Sequence, residues 1–211
     1  VIKIYSDRKK MIRDGMEDKI RILSSFKHKF IISPDDVVTD SQGDPIGFYM
    51  PLAEGEPLPR VFTNDFRKRE GFNDDDAATL VDRMRETVQF AHGKGAVLVD
   101  ANEMNWLAKL NKKNGPEPRV IDVDSWAVGR WGAKVIMPSI RDWQAKEFNQ
   151  LTDWFAWGIV TFQIYSGIHP FKGKLDGYKP NEVERRMKDN ASVFSKNIRL
   201  SSAVRDFSAV P

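Results

Sequence analysis

The longest apolar run in the chain, Trp154-Phe155-Ala156-Trp157-Gly158-Ile159-Val160-Thr161-Phe162, reads as a helix buried on all sides. It is followed by Gln163 and falls short of the roughly 20 residues that a membrane helix needs, so its cover has to come from the protein itself. The 211 residues, 41% hydrophobic and 30% charged, are enough for one or two cores around it. With no signal peptide or membrane span visible, the expected location is cytoplasmic and no membrane partner is expected.

Absences narrow the chemistry. There is no cysteine, hence no disulfide framework, thiolate zinc site or cysteine nucleophile. His28, His92 and His169 are far apart and none stands at a metal-ligand spacing. The net charge of +3 comes from 33 basic and 30 acidic residues. Basic clusters at Arg8-Lys9-Lys10, Arg67-Lys68-Arg69 and Lys112-Lys113 read as solvated faces, which leaves nucleic-acid binding possible but not indicated.

The chemistry concentrates in residues 95–124. Asp100 is followed five positions later by Asn105, and the apolar pair Val120-Ile121 ends at Asp122-Val123-Asp124. Carboxylates and an amide placed just after β-branched apolar runs suit strand ends that hold a metal–phosphate complex. Mg²⁺ prefers such hard oxygen ligands and commonly takes one or two carboxylates, with phosphate and water completing its shell.

This stretch resembles the catalytic loop and metal-binding segment of the eukaryotic-like protein kinases: an Asp, four residues, an Asn, then a strand ending in a second Asp. The resemblance implies that Asp100 accepts or orients the proton of a substrate hydroxyl. It also implies that Asn105 and Asp122 hold a metal ion, Asp122 bridging it to the β- and γ-phosphates. Lys3, in the strand-like run Val1-Ile2-Lys3-Ile4-Tyr5, matches the lysine that contacts the α- and β-phosphates. Taken alone, that segment reads as an edge strand with its lysine in water.

A helix is expected next, capped by Ser6 or Asp7, with Ile12, Met16, Ile20 and Leu23 on one face and Gly15 weakening it. Glu17 lies beside that stripe and resembles the glutamate that pairs with the strand lysine, implying a Lys3–Glu17 ion pair. The alternative is a solvent-exposed Glu17 among Asp14, Asp18 and Lys19. Residues 36–52 read as a hairpin turning at Ser41-Gln42-Gly43-Asp44. Its second run leads into a Gly- and Pro-containing stretch through Glu56 that resembles the adenine-binding hinge. By that resemblance Tyr49 stands near the gatekeeper position, and Met50, Leu52 and Glu56 border the nucleotide.

Residues 60–72 carry little signal. A long helix starts at an Asn73 cap, with Leu80, Val81, Met84, Val88 and Ala91 as its buried stripe and His92-Gly93-Lys94-Gly95 as its stop. Thr152-Asp153-Trp154 through Gly158, and Ser166-Gly167-Ile168-His169-Pro170-Phe171, resemble the start and close of the family's central helix. Asp153 would then hydrogen-bond the Asp100 loop as structural support; a cap of its own helix, with Thr152 assisting, is the ordinary reading of the same residue. One further helix is expected within 180–194.

The resemblance spans about residues 1–194 and is nearest to a divergent bacterial or phage branch. It implies an α+β, two-lobed fold: a small antiparallel-sheet lobe over 1–52, a hinge at 53–58 and a mainly helical lobe over 59–211. The opening at Val1 and the unpatterned tail from Ser201 to Pro211 read as a fragment, incomplete at both ends. There are departures from the family. Leu98-Val99 replaces His-Arg before the catalytic Asp, and Asn102 replaces a lysine. Asp124 replaces a glycine, as a further metal ligand or as an opponent of phosphate binding. No clear Ala-Pro-Glu follows, and Pro138 to Asp142 occupies roughly its place.

The implied activity is transfer of the γ-phosphoryl group of Mg·ATP to a Ser or Thr hydroxyl of a protein substrate. A pseudokinase scaffold and a small-molecule kinase stand as alternatives.

Overall fold

The computed structural model describes residues 1–133 and 136–207. It is an α+β protein of small antiparallel sheets and helices, and its order follows from local sequence chemistry. Strand β1 (Ile2–Ile4) leads to α1 (Arg8–Arg13), whose Asp7 cap accepts the Lys10 amide at 2.8 Å. The single helix expected here is broken: Gly15, at φ 64°, ends the first piece and opens α2 (Met16–Ser24). A left-handed residue resets the helical phase. Met11 is therefore buried on α1 and Ile12 lies 47% exposed, while Met16, Lys19, Ile20 and Leu23 form the buried stripe of α2.

The hairpin forms as β2 (Asp36–Thr39) and β3 (Pro45–Tyr49), and β1 joins it in the order β1-β3-β2. Next come β4 (Glu56–Pro57), α3 (Leu58–Val61) and α4 (Asn64–Glu70). Helix α4 lies within the stretch 60–72 that carries little sequence signal; Thr63 caps it and Gly71, at φ 70°, ends it. Helix α5 (Asp74–Gly93) begins with a reciprocal capping box between Asn73 and Asp76 and buries Leu80, Val81, Met84, Val88 and Ala91.

Strand β5 (Ala96–Val97) precedes the Asp100 loop. Then β6 (Trp106–Lys109) and β7 (Glu117–Val120) pair with β4 in the order β4-β6-β7, and β8 (Ala127–Val128) pairs with β5. Gly55 lies so close to Ala108 that a Cβ would meet its carbonyl carbon at 2.9 Å, so only glycine lets the chain turn into β4.

The apolar run at 154–162 lies in α6 (Gln150–Ser166). Its cap is Asn149, whose own amide donates to Thr152 Oγ1 at 3.0 Å; Asp153 does not cap it. After α6, the only helix assigned among the described residues is α7 (Val183–Lys188). The tail is described only as far as Phe207, and residues 134–135 and 208–211 lie outside the described part.

One apolar core joins α5 and α6 to Leu23, Phe26 and Ile31 from the first part of the chain. The segment around Ile31 runs beside β7: Val120 donates to the Phe30 carbonyl at 2.9 Å, and Ile32 donates to the Val120 carbonyl at 3.0 Å. Among the described residues, no helix is long and apolar enough to cross a membrane.

Candidate functional site

The site is built outward from α6. Asp153, fully buried, accepts the main-chain N–H groups of Leu98 at 2.7 Å and Val99 at 2.9 Å, and its Oδ2 lies 2.8 Å from His92 Nε2. Those amides belong to a turn in which Val99 has φ 64°, an unfavourable region for a β-branched residue. A conformation of that kind costs on the order of 1–3 kcal/mol and persists where its surroundings over-determine it. Asp153 supplies that constraint, so the buried helix holds the loop that presents Asp100.

Asp100 is fixed at both ends. Its carbonyl accepts Asn105 Nδ2 at 2.7 Å, and its Oδ1 accepts the Met137 amide at 2.8 Å. Asn105 in turn accepts the Ile121 amide on its main-chain oxygen at 3.0 Å, which sets it beside the residue preceding Asp122. Asp122 takes φ 58°, and its carbonyl accepts Ser125 Oγ at 2.8 Å. Asp100, Asn105 and Asp122 are thus tied into one region by one side-chain and one main-chain hydrogen bond.

Lys3 reaches the same region from 119 residues away. Its ammonium lies 2.7 Å from Asp122 Oδ1 and 2.8 Å from Asp124 Oδ1. The face it occupies inverts the usual polarity of a strand: Ile2 and Ile4 are 61% and 55% exposed, while Lys3 turns toward the carboxylates. Burial pulls the Lys3 ammonium pKa down, and the attraction of Asp124 and Asp122 outweighs it, so the net shift is upward and the charge is secured. Tyr5, two residues on and so on the same face, donates its hydroxyl to Asp124 Oδ2 at 2.8 Å. Burial, reinforced by Asp124, raises its pKa and keeps it a donor.

The Lys3–Glu17 ion pair is not formed. Glu17 lies off the inward stripe of α2 and its Oε1 pairs with Arg21 at 2.8 Å. The inward position carries Lys19, which is 1% exposed and donates to the Asp124 carbonyl at 2.7 Å. This residue was missed, although it falls at the helical spacing of Met16, Ile20 and Leu23.

The hinge residues also depart from expectation. Lys3 pairs in register with Phe48, which is 1% exposed, so Phe48 is the β3 side chain facing the lysine; Tyr49 points to the other face with Ile2. A shift of one residue exchanges strand faces. Met50 has both main-chain groups engaged by Val1, at 2.9 and 2.7 Å, and Pro51 has no N–H, which leaves Leu52 with the first available amide. Glu56 pairs with Arg60 at 2.6 Å, and its strand pairs with β6.

A cavity of about 420 Å³ is lined by Asp100, Asp122 and Asp124 on one side and by Tyr5, Met11 and Met16 on another. Helices α1 and α2 contribute Lys10, Met11 and Met16 to its wall, and Lys3, Asn105, Tyr49, Met50, Leu52 and Glu56 do not line it. Among the described residues, no three His, Asp or Glu side chains gather closely enough to hold a metal by themselves. The donors that fit Mg²⁺ are the Asp122 carboxylate, 38% exposed, and the Asn105 amide oxygen, with its nitrogen already engaged by Asp100. Such a sparse oxygen set suits an ion that keeps phosphate and water in its shell.

No protein-family model matches the chain, and no curated protein matches it.

Proposed function

We propose that the chain is an ATP-dependent phosphotransferase with a two-lobed, protein-kinase-like fold, acting on a Ser or Thr hydroxyl of a protein. The observation that carries this reading is Lys3: a strand lysine turned inward while its isoleucine neighbours face water, bonded to Asp122 beside Asp100. A lysine in that position is poised to hold phosphate oxygens, and it has a third N–H to donate once two are engaged.

In this reading Asn105 and Asp122 would hold Mg²⁺, and Lys3 would bind the nucleotide phosphates. The bound Mg·ATP supplies the phosphoryl group and the metal charge that offsets its oxygens. Asp100, with Oδ1 fixed by the Met137 amide, keeps Oδ2 for the substrate hydroxyl, which it orients and whose proton it takes as the oxygen–phosphorus bond forms. The bond from the γ-phosphorus to the ADP oxygen breaks in the same displacement. Asp153 keeps Asp100 in place through the Leu98 and Val99 amides. Positioning and electrostatics, more than covalent chemistry, are the protein's contribution.

One observation favours a second reading, a nucleotide-free scaffold: Lys3 is already held by two carboxylates, and Met50 already uses both of its main-chain groups. Transfer of labelled γ-phosphate to protein acceptors separates the two. The phosphotransferase reading expects Asp100→Asn to abolish transfer while leaving nucleotide binding. Absence of both binding and transfer in the unaltered chain favours the scaffold, and label found only on metabolites favours a small-molecule acceptor.

A further inference from the structure

We propose that Asp124, gripped by Tyr5, is the positioning residue for Lys3, in place of a carboxylate on helix α2; this rests on the phosphotransferase reading of the same site. The two aspartates that touch Lys3 differ in environment. The Asp122 side chain is 38% exposed and that of Asp124 is 8% exposed. Asp124 has both oxygens engaged, Oδ1 by Lys3 at 2.8 Å and Oδ2 by the Tyr5 hydroxyl at 2.8 Å, and its carbonyl accepts Lys19 Nζ at 2.7 Å.

A metal ligand needs an oxygen that can turn to the ion; Asp122 has one and Asp124 does not. Were Asp122 to hold a metal, Asp124 would remain bonded to Lys3 through Oδ1. Lys3 and Tyr5 stand on one face of one strand end and hold the two oxygens of the same carboxylate. Helix α2 contributes a cation, Lys19, to the main chain of that segment, and its only glutamate is turned to Arg21. The orientation of Lys3 is therefore set by the segment that also carries Asp122, and needs no carboxylate from the helix.

The test has two readouts on the full chain. Urea unfolding without nucleotide, in double-mutant cycles, compares Lys3→Met with Asp124→Asn against Lys3→Met with Glu17→Gln. The proposal expects coupling in the first cycle and none in the second. The second readout is Mg·ATP affinity by calorimetry. Asp124→Asn is expected to lower it by about tenfold or more, the scale of one lost charge-assisted hydrogen bond. Asp124→Glu should restore part of that loss, and Glu17→Gln should leave affinity unchanged.

If Asp124→Asn does not fold, Tyr5→Phe loosens the same carboxylate and should lower affinity in the same direction. Coupling of Lys3 to Glu17 with none to Asp124 would overturn the proposal. So would unchanged affinity in both the Asp124→Asn and Tyr5→Phe variants. Should the unaltered chain bind no nucleotide, the functional reading fails, while the unfolding cycle still decides whether Asp124 anchors Lys3.

Discussion

In α6, Ala156, Val160 and Ile164 are fully buried, and the helix carries its one carboxylate, Asp153, to a place where three donors meet it. In β1 the polarity is reversed, with isoleucines outside and a lysine inside. The first region follows the hydrophobic effect. The second gives up that benefit in order to bring a cation to two carboxylates from a distant part of the chain. The contrast marks where folding sets the residue choice and where the site does.

The largest way to break the comparison lies at the joint between the regions. Asp153→Ala would leave the Leu98 and Val99 amides buried without partners beside a strained turn. Urea unfolding should show a loss of about 3–5 kcal/mol. Matched apolar truncations sharpen it: Ile164→Ala should cost about 2–5 kcal/mol, as a cavity in the core, and Ile4→Ala no more than about 0.5 kcal/mol. Equal costs would mean that the outer face of β1 is covered.

His169, 4% exposed after the end of α6, provides a pH test of the same core. Its Nε2 donates to the Ser139 carbonyl at 2.8 Å and its Nδ1 accepts the Phe171 amide at 3.1 Å, so the neutral ring is fully bonded. Burial pushes its pKa down from 6.5 to about 4. Between those values the unfolded chain takes a proton that the folded chain refuses. Its contribution, present above pH 6.5, is therefore lost as the pH falls toward 4, by about 3 kcal/mol in all. His169→Gln should flatten that part of the stability profile. The smallest effect is at Glu17: Glu17→Gln should leave the unfolding midpoint nearly unchanged, since it removes only an exposed pair with Arg21.

Where apolar periodicity dominates, the sequence was a good guide. The stripe of α5, the Asn73 cap and the hairpin are visible in it, because burial and capping are local or periodic signals; the apolar run of α6 is not buried on all sides, since Trp154, Phe155, Trp157 and Phe162 are only partly buried. Gly15 was read as a weak point, and its left-handed conformation, which shifts the phase and puts Lys19 inward, is not a compositional signal. The clustering of Lys3 with Asp122 was accessible only through resemblance. The roles of Tyr5 and Asp124 depend on two segments meeting across more than a hundred residues, which no local pattern encodes. Phe48 and Tyr49 show the limit at its finest: neighbouring aromatics on one strand, exchanged by a register that only pairing with β1 decides.

The most direct test of the central claim is Mg·ATP binding to the full chain by calorimetry, beside Lys3→Met and Asp122→Asn. The account predicts saturable, Mg-dependent binding to the unaltered chain that is weakened in both variants, with the Asp122→Asn variant losing most of its dependence on the metal. Binding that is indifferent to both substitutions, or no binding at millimolar nucleotide, would contradict it.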